Sequence, residues 1–243
     1  MTIFLLKFTL FILQNNMQSP INIQCQFDSI PDKWKTILEP HSHHFQNIQN
    51  KIDTDFILYE DSCDIYPEPS NIFRAFKEVQ LEDIRVVIIG QDCYHKPGQA
   101  IGRAFGVPPN KTIPPSLRNI SKELFNDTGI ILDDFSLEKW SKQGVMLLNS
   151  ALTVRQSSPG SHLNVWKDFT DKVINTISKN TNGVVFFLWG KYAQSKQQFI
   201  SSYNNHLILC ANHPSPLSAN KGGWFGSAHF SKANDFLIDK IDW

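Results

Sequence analysis

At 243 residues, 41% of them hydrophobic and 19% charged, the chain has an ordinary globular composition and can bury a sizeable core as one domain or, less economically, two. Formal net charge is zero, so composition gives no case for a polyanionic partner. Its four cysteines are scattered with no Cys-x-x-Cys, which argues against a disulfide framework and against zinc and favours a reducing, intracellular setting.

The charge is unevenly spread. Residues 1–85 hold 7 Lys or Arg against 12 Asp or Glu, and residues 86–243 hold 16 against 11. A local basic face on the second part and solvated charges scattered over helix surfaces both fit that count.

Taken in chain order, the first element is an apolar run from Ile3 to Leu13 interrupted only by Lys7. It is shorter than the roughly 20 residues that span a bilayer. It also lacks the preceding basic stretch and the following small-residue cleavage pattern of a signal peptide. Residues 1–27 are therefore set apart as an extension, with Met17 as an alternative start or the apolar run as a targeting or peripheral piece, and 28–243 are assigned to the domain. From Asp28 to Asp64 the chain is polar, with a helical stretch around Trp34 to Leu38 and a cluster His41-Ser42-His43-His44. Without Cys or Asp at ligand spacing, those histidines read as surface residues rather than a metal site.

Four apolar runs follow, each ended by a breaker: Val86 to Ile89, Val145 to Leu148, Val184 to Leu188 and Leu207 to Cys210. Short runs without alternation predict strands buried on both faces. Helical patterns lie around them at Ser70–Val79, Pro115–Asn126, Val165–Ile177, Tyr192–Ser201 and His229–Lys240. The alternation predicts an α/β fold: a single domain with a central, twisted, four-stranded parallel sheet flanked by helices on both faces.

In such sheets the chemistry sits beyond the carboxyl ends of the strands. Gln91 and Asp92, Asn149, Gly190 with Lys191, and Asn212 with His213 are then brought to one edge. A carboxylate can orient water or stabilise a developing cation, an amide can read a donor–acceptor pair, and an imidazole can hydrogen-bond a developing oxyanion. Together these describe cleavage of a bond to a planar, amide-like leaving group. Competing signatures are absent: there is no Gly-x-Gly-x-x-Gly, no Gly-x-Ser-x-Gly, no His-x-Glu with Cys-x-x-Cys, and no phosphate loop around Gly190-Lys191.

The strings that carry the rest of the reading are Tyr66-Pro67, Gly90 to His95, Pro97 to Ala100, Ile113 to Leu117, Leu147 to Asn149, Leu188 to Gly190, and His213 to Ala219 with Gly226 and His229-Phe230. In that order and at those intervals the chain resembles the family 1 uracil-DNA glycosylases. The resemblance implies a DNA-repair hydrolase that flips uracil out of DNA and leaves an abasic site, without cofactor or metal. A replication-accessory DNA-binding protein on the same fold, with catalysis secondary, is the other class.

Residue by residue, the resemblance makes Asp92 the acid that orients water and His213 the uncharged donor to uracil O2. Gln91 lends a backbone N–H, Asn149 pairs with O4 and N3–H, Tyr94 blocks the thymine methyl, and Phe105, alone merely a core aromatic, stacks on the extruded base. Leu217 becomes a wedge into the duplex. Pro114, Pro115, Ser116, Gly190, Lys191 and Ser215 become contacts to the DNA backbone. Uracil-containing single- and double-stranded DNA is the implied partner, with proteinaceous uracil-DNA glycosylase inhibitors as a second class. No membrane partner is implied, and the chain is expected to be a monomer. A eukaryotic or viral source would place it in the nucleus, the host's included, and any other source in the cytoplasm.

Four positions depart from the family pattern, which usually has proline at Cys93, glycine at Lys96, histidine at Ile101 and serine at Lys191. Cys93 is expected to loosen the loop that places Asp92, so Cys93→Pro is expected to raise turnover without changing base preference. Lys96 and Lys191 add positive charge beside the presumed DNA path.

Overall fold

The computed structural model describes residues 19–59 and 64–243. The apolar run from Ile3 to Leu13 lies outside them. Among the described residues six strands are found in chain order: β1 (Ile65–Tyr66), β2 (Val86–Gly90), β3 (Val145–Asn149), β4 (Val154–Arg155), β5 (Val185–Trp189) and β6 (Leu207–Ala211). β3, β2, β5 and β6 lie side by side in that order, every neighbouring pair parallel. β1 and β4 form a separate antiparallel pair.

The sheet divides two cores by strict alternation along its strands, since successive side chains point to opposite faces. Val87, Ile89, Met146, Leu148, Phe186 and Leu188 face one way, against the N-terminal helices and the helix Leu163–Asn180. Val86, Ile88, Val145, Leu147, Val185 and Phe187 face the other, against the helices Pro115–Thr128 and His229–Phe236. The helices cover both faces, as predicted for a parallel sheet. The expectation of burial on both faces holds for β2, β3 and β5, whose residues are all buried. It fails for β6, which pairs with β5 alone, leaves Cys210 exposed and is otherwise only partly covered up to Ala211.

The helical expectations hold in part. Pro115–Thr128 and Leu163–Asn180 run slightly beyond their predicted ends. Ser70–Val79 resolves into a 3₁₀ turn, Pro69–Asn71, and a short helix, Arg74–Glu78. Tyr192–Ser201 resolves into the helix Lys191–Gln194 followed by a 3₁₀ turn, Ser195–Phe199. The last helix stops at Phe236, four residues early.

The N-terminal part differs more. Between Asp28 and Asp64 the chain carries the helices Asp32–Leu38 and Phe45–Tyr59, with the histidine cluster in a 3₁₀ turn, Glu39–His44, between them. The packed chain also starts before residue 28. Ile21, Ile23 and Phe27 are buried in the first core, and each large apolar side chain so buried is worth roughly 1.5–3 kcal/mol.

A buried polar chain ties this part to the rest. Trp166 Nε1 donates to Thr153 Oγ1 at 2.7 Å, Thr153 Oγ1 lies 2.8 Å from His162 Nδ1, and His162 Nε2 lies 2.9 Å from Asp55 Oδ2. Since the carboxylate only accepts, Nε2 carries the proton, and Nδ1 accepts from the Thr153 hydroxyl. The helix Phe45–Tyr59 is thereby fastened to the segment that follows β4.

Candidate active site

β2 ends at Gly90 opposite Asn149, the last residue of β3. Side chains from both strand ends and from the loop after β6 enclose a cavity of about 630 Å³. Gln91, Asp92, Tyr94, Phe105, Asn149, His213, Ser116, Ser215 and Leu217 all line it. Gly190 and Lys191 line a smaller neighbouring cavity of about 140 Å³, which shares Gln91 and His213 with the first. Pro114 and Pro115 line neither of these two cavities: Pro114 is buried and caps the helix Pro115–Thr128, whose first turn Pro115 opens.

Asp92 is held from across the fold. Its Oδ2 accepts the backbone N–H of Gly160 at 2.6 Å, a residue in the loop after β4. Burial pushes the Asp92 pKa up from its ordinary value, and the Gly160 N–H together with the charge of nearby His95 pulls against that shift.

His213 follows β6 and the short link Asn212. The backbone N–H of Ser215 donates to its Nδ1 at 3.0 Å. Nδ1 is therefore the unprotonated nitrogen, and in the neutral ring Nε2 carries the hydrogen. Burial holds the His213 pKa below the ordinary 6.5, so the neutral ring is the form present at pH 7. The loop is braced by Asn119 Nδ2, which donates to the Pro214 carbonyl at 2.7 Å. Gly190 serves here as the seat under the imidazole: its φ is +91°, and a Cβ there would come within 2.8 Å of His213 Cβ.

The walls are equally fixed. Asn149 is 6% exposed, and Tyr94 Oη donates to the Phe105 carbonyl at 3.1 Å. Phe105 has a left-handed backbone, φ +65°, unusual for a bulky residue and costing on the order of 1–3 kcal/mol. Its ring lies 5.6 Å from Trp189 and 6.1 Å from His213, centroid to centroid. Leu217, 85% exposed on the turn Pro216–Ala219, stands at the rim. Lys96 and Lys191 are exposed.

Three contributors escape a reading of the sequence alone. His95 lines the cavity with a buried Nδ1 that has no protein partner. Gly160 supplies the donor to Asp92, and the only signal for it was the turn-like Ser-Ser-Pro-Gly run ending there. Cys93, expected to loosen its loop, is buried and hydrogen-bonded through sulfur to Asn149 and Ala151. Among the described residues no group of His, Cys, Asp and Glu is arranged to hold a metal, and no helix is long and apolar enough to cross a membrane.

A family model described as the uracil DNA glycosylase superfamily matches residues 76–238. A "Uracil-DNA glycosylase" of Coxiella burnetii (strain RSA 493 / Nine Mile phase I) is 49% identical over 220 residues, covering 86% of this chain and 93% of the relative. One from Azotobacter vinelandii (strain DJ / ATCC BAA-1303) is 48% identical over 198 residues, covering 78% of this chain and 84% of the relative. Among solved structures, mimivirus uracil-DNA glycosylase superposes with a TM-score of 0.82 at 26% identity, over 92% of this chain and 89% of that one. A mimivirus UNG Y322L structure in complex with UGI gives 0.81 at 27% identity, over 91% and 90%. With the acid, the amide and the neutral imidazole gathered at one strand-end cavity, the chain belongs to the uracil-DNA glycosylase superfamily.

Proposed function

We propose that Asp92 and His213 divide the work of excising uracil from DNA, a hydrolysis of the N-glycosidic bond that leaves free uracil and an abasic site. As the bond from the sugar to uracil N1 breaks, its electron pair leaves with the base. His213 Nε2–H then hydrogen-bonds the developing charge on uracil O2, helped by the backbone N–H of Gln91. Asp92 offsets the positive charge left on the sugar and orients the water whose oxygen bonds to C1′. The water leaves its hydroxyl on C1′, its other proton passes to Asp92 or to solvent, and the departing uracil anion takes up a proton from solvent. Because the base leaves as a stabilised anion, one carboxylate suffices where ordinary glycoside hydrolysis uses two.

What carries this reading is the Ser215 N–H on His213 Nδ1, which fixes the ring as a neutral donor in the same cavity as Asp92. Asn149 reads N3–H and O4, Tyr94 closes the space a thymine methyl would need, and Phe105 stacks on the base. Leu217 fills the gap left by the flipped nucleotide, helping to offset a few kcal/mol of unstacking. Pro114, Pro115, Ser116, Gly190, Lys191 and Ser215 hold the DNA backbone, so binding is sequence-tolerant and weakens as salt rises. Single- and double-stranded uracil-DNA both serve as substrate for a monomeric enzyme, acting in the compartment that holds the DNA. The catalytic unit is residues 28–243 together with the packed segment from Ile21 to Phe27. A proteinaceous uracil-DNA glycosylase inhibitor is a fitting second partner for the same rim.

The test is base release from an oligonucleotide with a single uracil, scored as abasic sites. Release of uracil but not thymine, and its loss in Asp92→Asn, is expected. Equal release of thymine, or full activity of Asp92→Asn, would overturn the proposal.

A further inference from the structure

Cys93 follows Asp92 in the chain, yet its sulfur serves the opposite half of the pocket. The side chain is 5% exposed and packs with Tyr66 and Val154. Its Sγ donates to the Ala151 carbonyl at 3.4 Å and accepts from Asn149 Nδ2 at 3.5 Å. A thiol has one hydrogen. With that hydrogen committed to Ala151, sulfur offers Asn149 only lone pairs, so the amide must turn its N–H toward it. On the other side Asn149 Oδ1 occupies the space above Gly90, where a Cβ would approach it to 2.1 Å.

We infer that Cys93 is a positioning residue for base selectivity, holding the Asn149 amide in the orientation that reads uracil and opposing the flipped orientation that would read cytosine. The inference rests on the proposed role of Asn149 as the base-reading amide. Uracil presents a donor at N3 and an acceptor at O4; cytosine presents an acceptor at N3 and a donor at its amino group. A half-turn of the amide exchanges Oδ1 for Nδ2 and would match cytosine instead. In this chain that half-turn would set Oδ1 against the sulfur, and the single thiol hydrogen could then serve Oδ1 or the Ala151 carbonyl but not both, leaving one buried acceptor without a donor. Burial pushes the thiol pKa up to about 12, so the sulfur keeps its hydrogen, and its pattern of one donation and one acceptance, at any pH where the enzyme works. A proline side chain at this position would offer neither donor nor acceptor. On this inference Cys93→Pro is expected to narrow base preference, in contrast to the unchanged preference expected from the sequence.

The experiment compares inhibition of uracil release by free uracil and by free cytosine in wild-type enzyme, Cys93→Ala, Cys93→Val and Cys93→Ser, with thermal melting in parallel. Alanine and valine are expected to narrow the uracil-over-cytosine preference by about fivefold, the effect of losing one ordinary hydrogen bond. Serine, which can still donate to Ala151 and accept from Asn149, is expected to keep most of the preference. Valine preserves the packing and carries the test if alanine fails to fold. A preference unchanged in alanine and valine, or equally narrowed in serine, would overturn the inference. Asn149→Ala separates the two levels: if it leaves uracil inhibition intact, the base-reading role of Asn149 is wrong. If it abolishes inhibition while the Cys93 variants match wild type, only the role of Cys93 is wrong.

Discussion

The two ends of the active site respond to the same physical pressure with opposite consequences. Burial disfavours charge on both Asp92 and His213, raising the pKa of the first and lowering that of the second. For His213 that pressure produces the form the proposed reaction uses, and the Ser215 N–H has only to choose the tautomer. For Asp92 it opposes the form the proposed reaction uses, so a donor must be brought from elsewhere, and Gly160 arrives from a loop 68 residues further along the chain. A neutral group in a dry pocket is easily held; a charged one requires a partner.

The comparison can be broken most severely at Asp92. Asp92→Asn is expected to lower kcat by 10²- to 10⁴-fold with little change in stability, since the amide still accepts from Gly160. His213→Ala removes a single preorganised donor and is expected to cost about 10²- to 10³-fold in kcat, measured on the same oligonucleotide. The pH profile of kcat/KM sharpens the contrast. Both the neutral imidazole and the carboxylate are lost on acidification, so activity falls as pH drops through the His213 pKa, held below the ordinary 6.5, and the Asp92 pKa, raised above the ordinary 3.8, by up to tenfold per unit for each group. In His213→Gln the remaining acidic limb reports Asp92 alone, is expected above the ordinary 3.8 and should fall by no more than tenfold per unit; a limb still steeper than that would remove His213 from the assignment. Gly190→Ala is expected to cost about tenfold in kcat, through the 2.8 Å approach to His213 and the backbone strain at φ +91°.

One effect lies outside the chemistry, at His229. It is 3% exposed, its Nδ1 accepts from Trp189 Nε1 at 3.0 Å, and burial lowers its pKa from 6.5 to about 4. The unfolded chain therefore binds a proton between pH 6.5 and about 4 that the folded chain refuses. This contribution to stability is intact above pH 6.5 and is lost as pH falls toward 4. Between pH 7 and 5 the loss is about 2 kcal/mol, visible as a drop in denaturation midpoint that His229→Gln should flatten.

Sequence patterns made the sheet legible because its strands are apolar on both faces and end in polar or glycine breakers. The same continuity concealed that β6 is an edge strand, since Leu207 to Cys210 looks as apolar as β2. The helix Phe45–Tyr59 has a core stripe at Phe45, Ile48 and Ile52, but the stripe next meets Asp55, a charge made tolerable there by the ion pair with Lys51, the hydrogen bond with His162 and the approach of the Arg155 guanidinium. Asp92, Asn149 and His213 were legible from strand ends and motif strings. Gly160 and His95 were not, because their places in the pocket are set by tertiary approach: the two-residue pair of β1 and β4 is too short to leave a pattern. Cys93 was visible only as a departure, and its contacts with Asn149 and Ala151 gave that departure a chemical meaning.

The parallel register of β2 and β3 sets Gly90 level with Asn149, and the amide oxygen occupies the room that a side chain would take. A slip of one residue would bring Ile89 or Gln91 level with Asn149 instead, and either side chain would compete for that room. Misalignment would thus close the pocket rather than leave a loosely selective one. Faithful strand pairing and the choice of nucleobase proposed for Asn149 rest on the same absent methyl group.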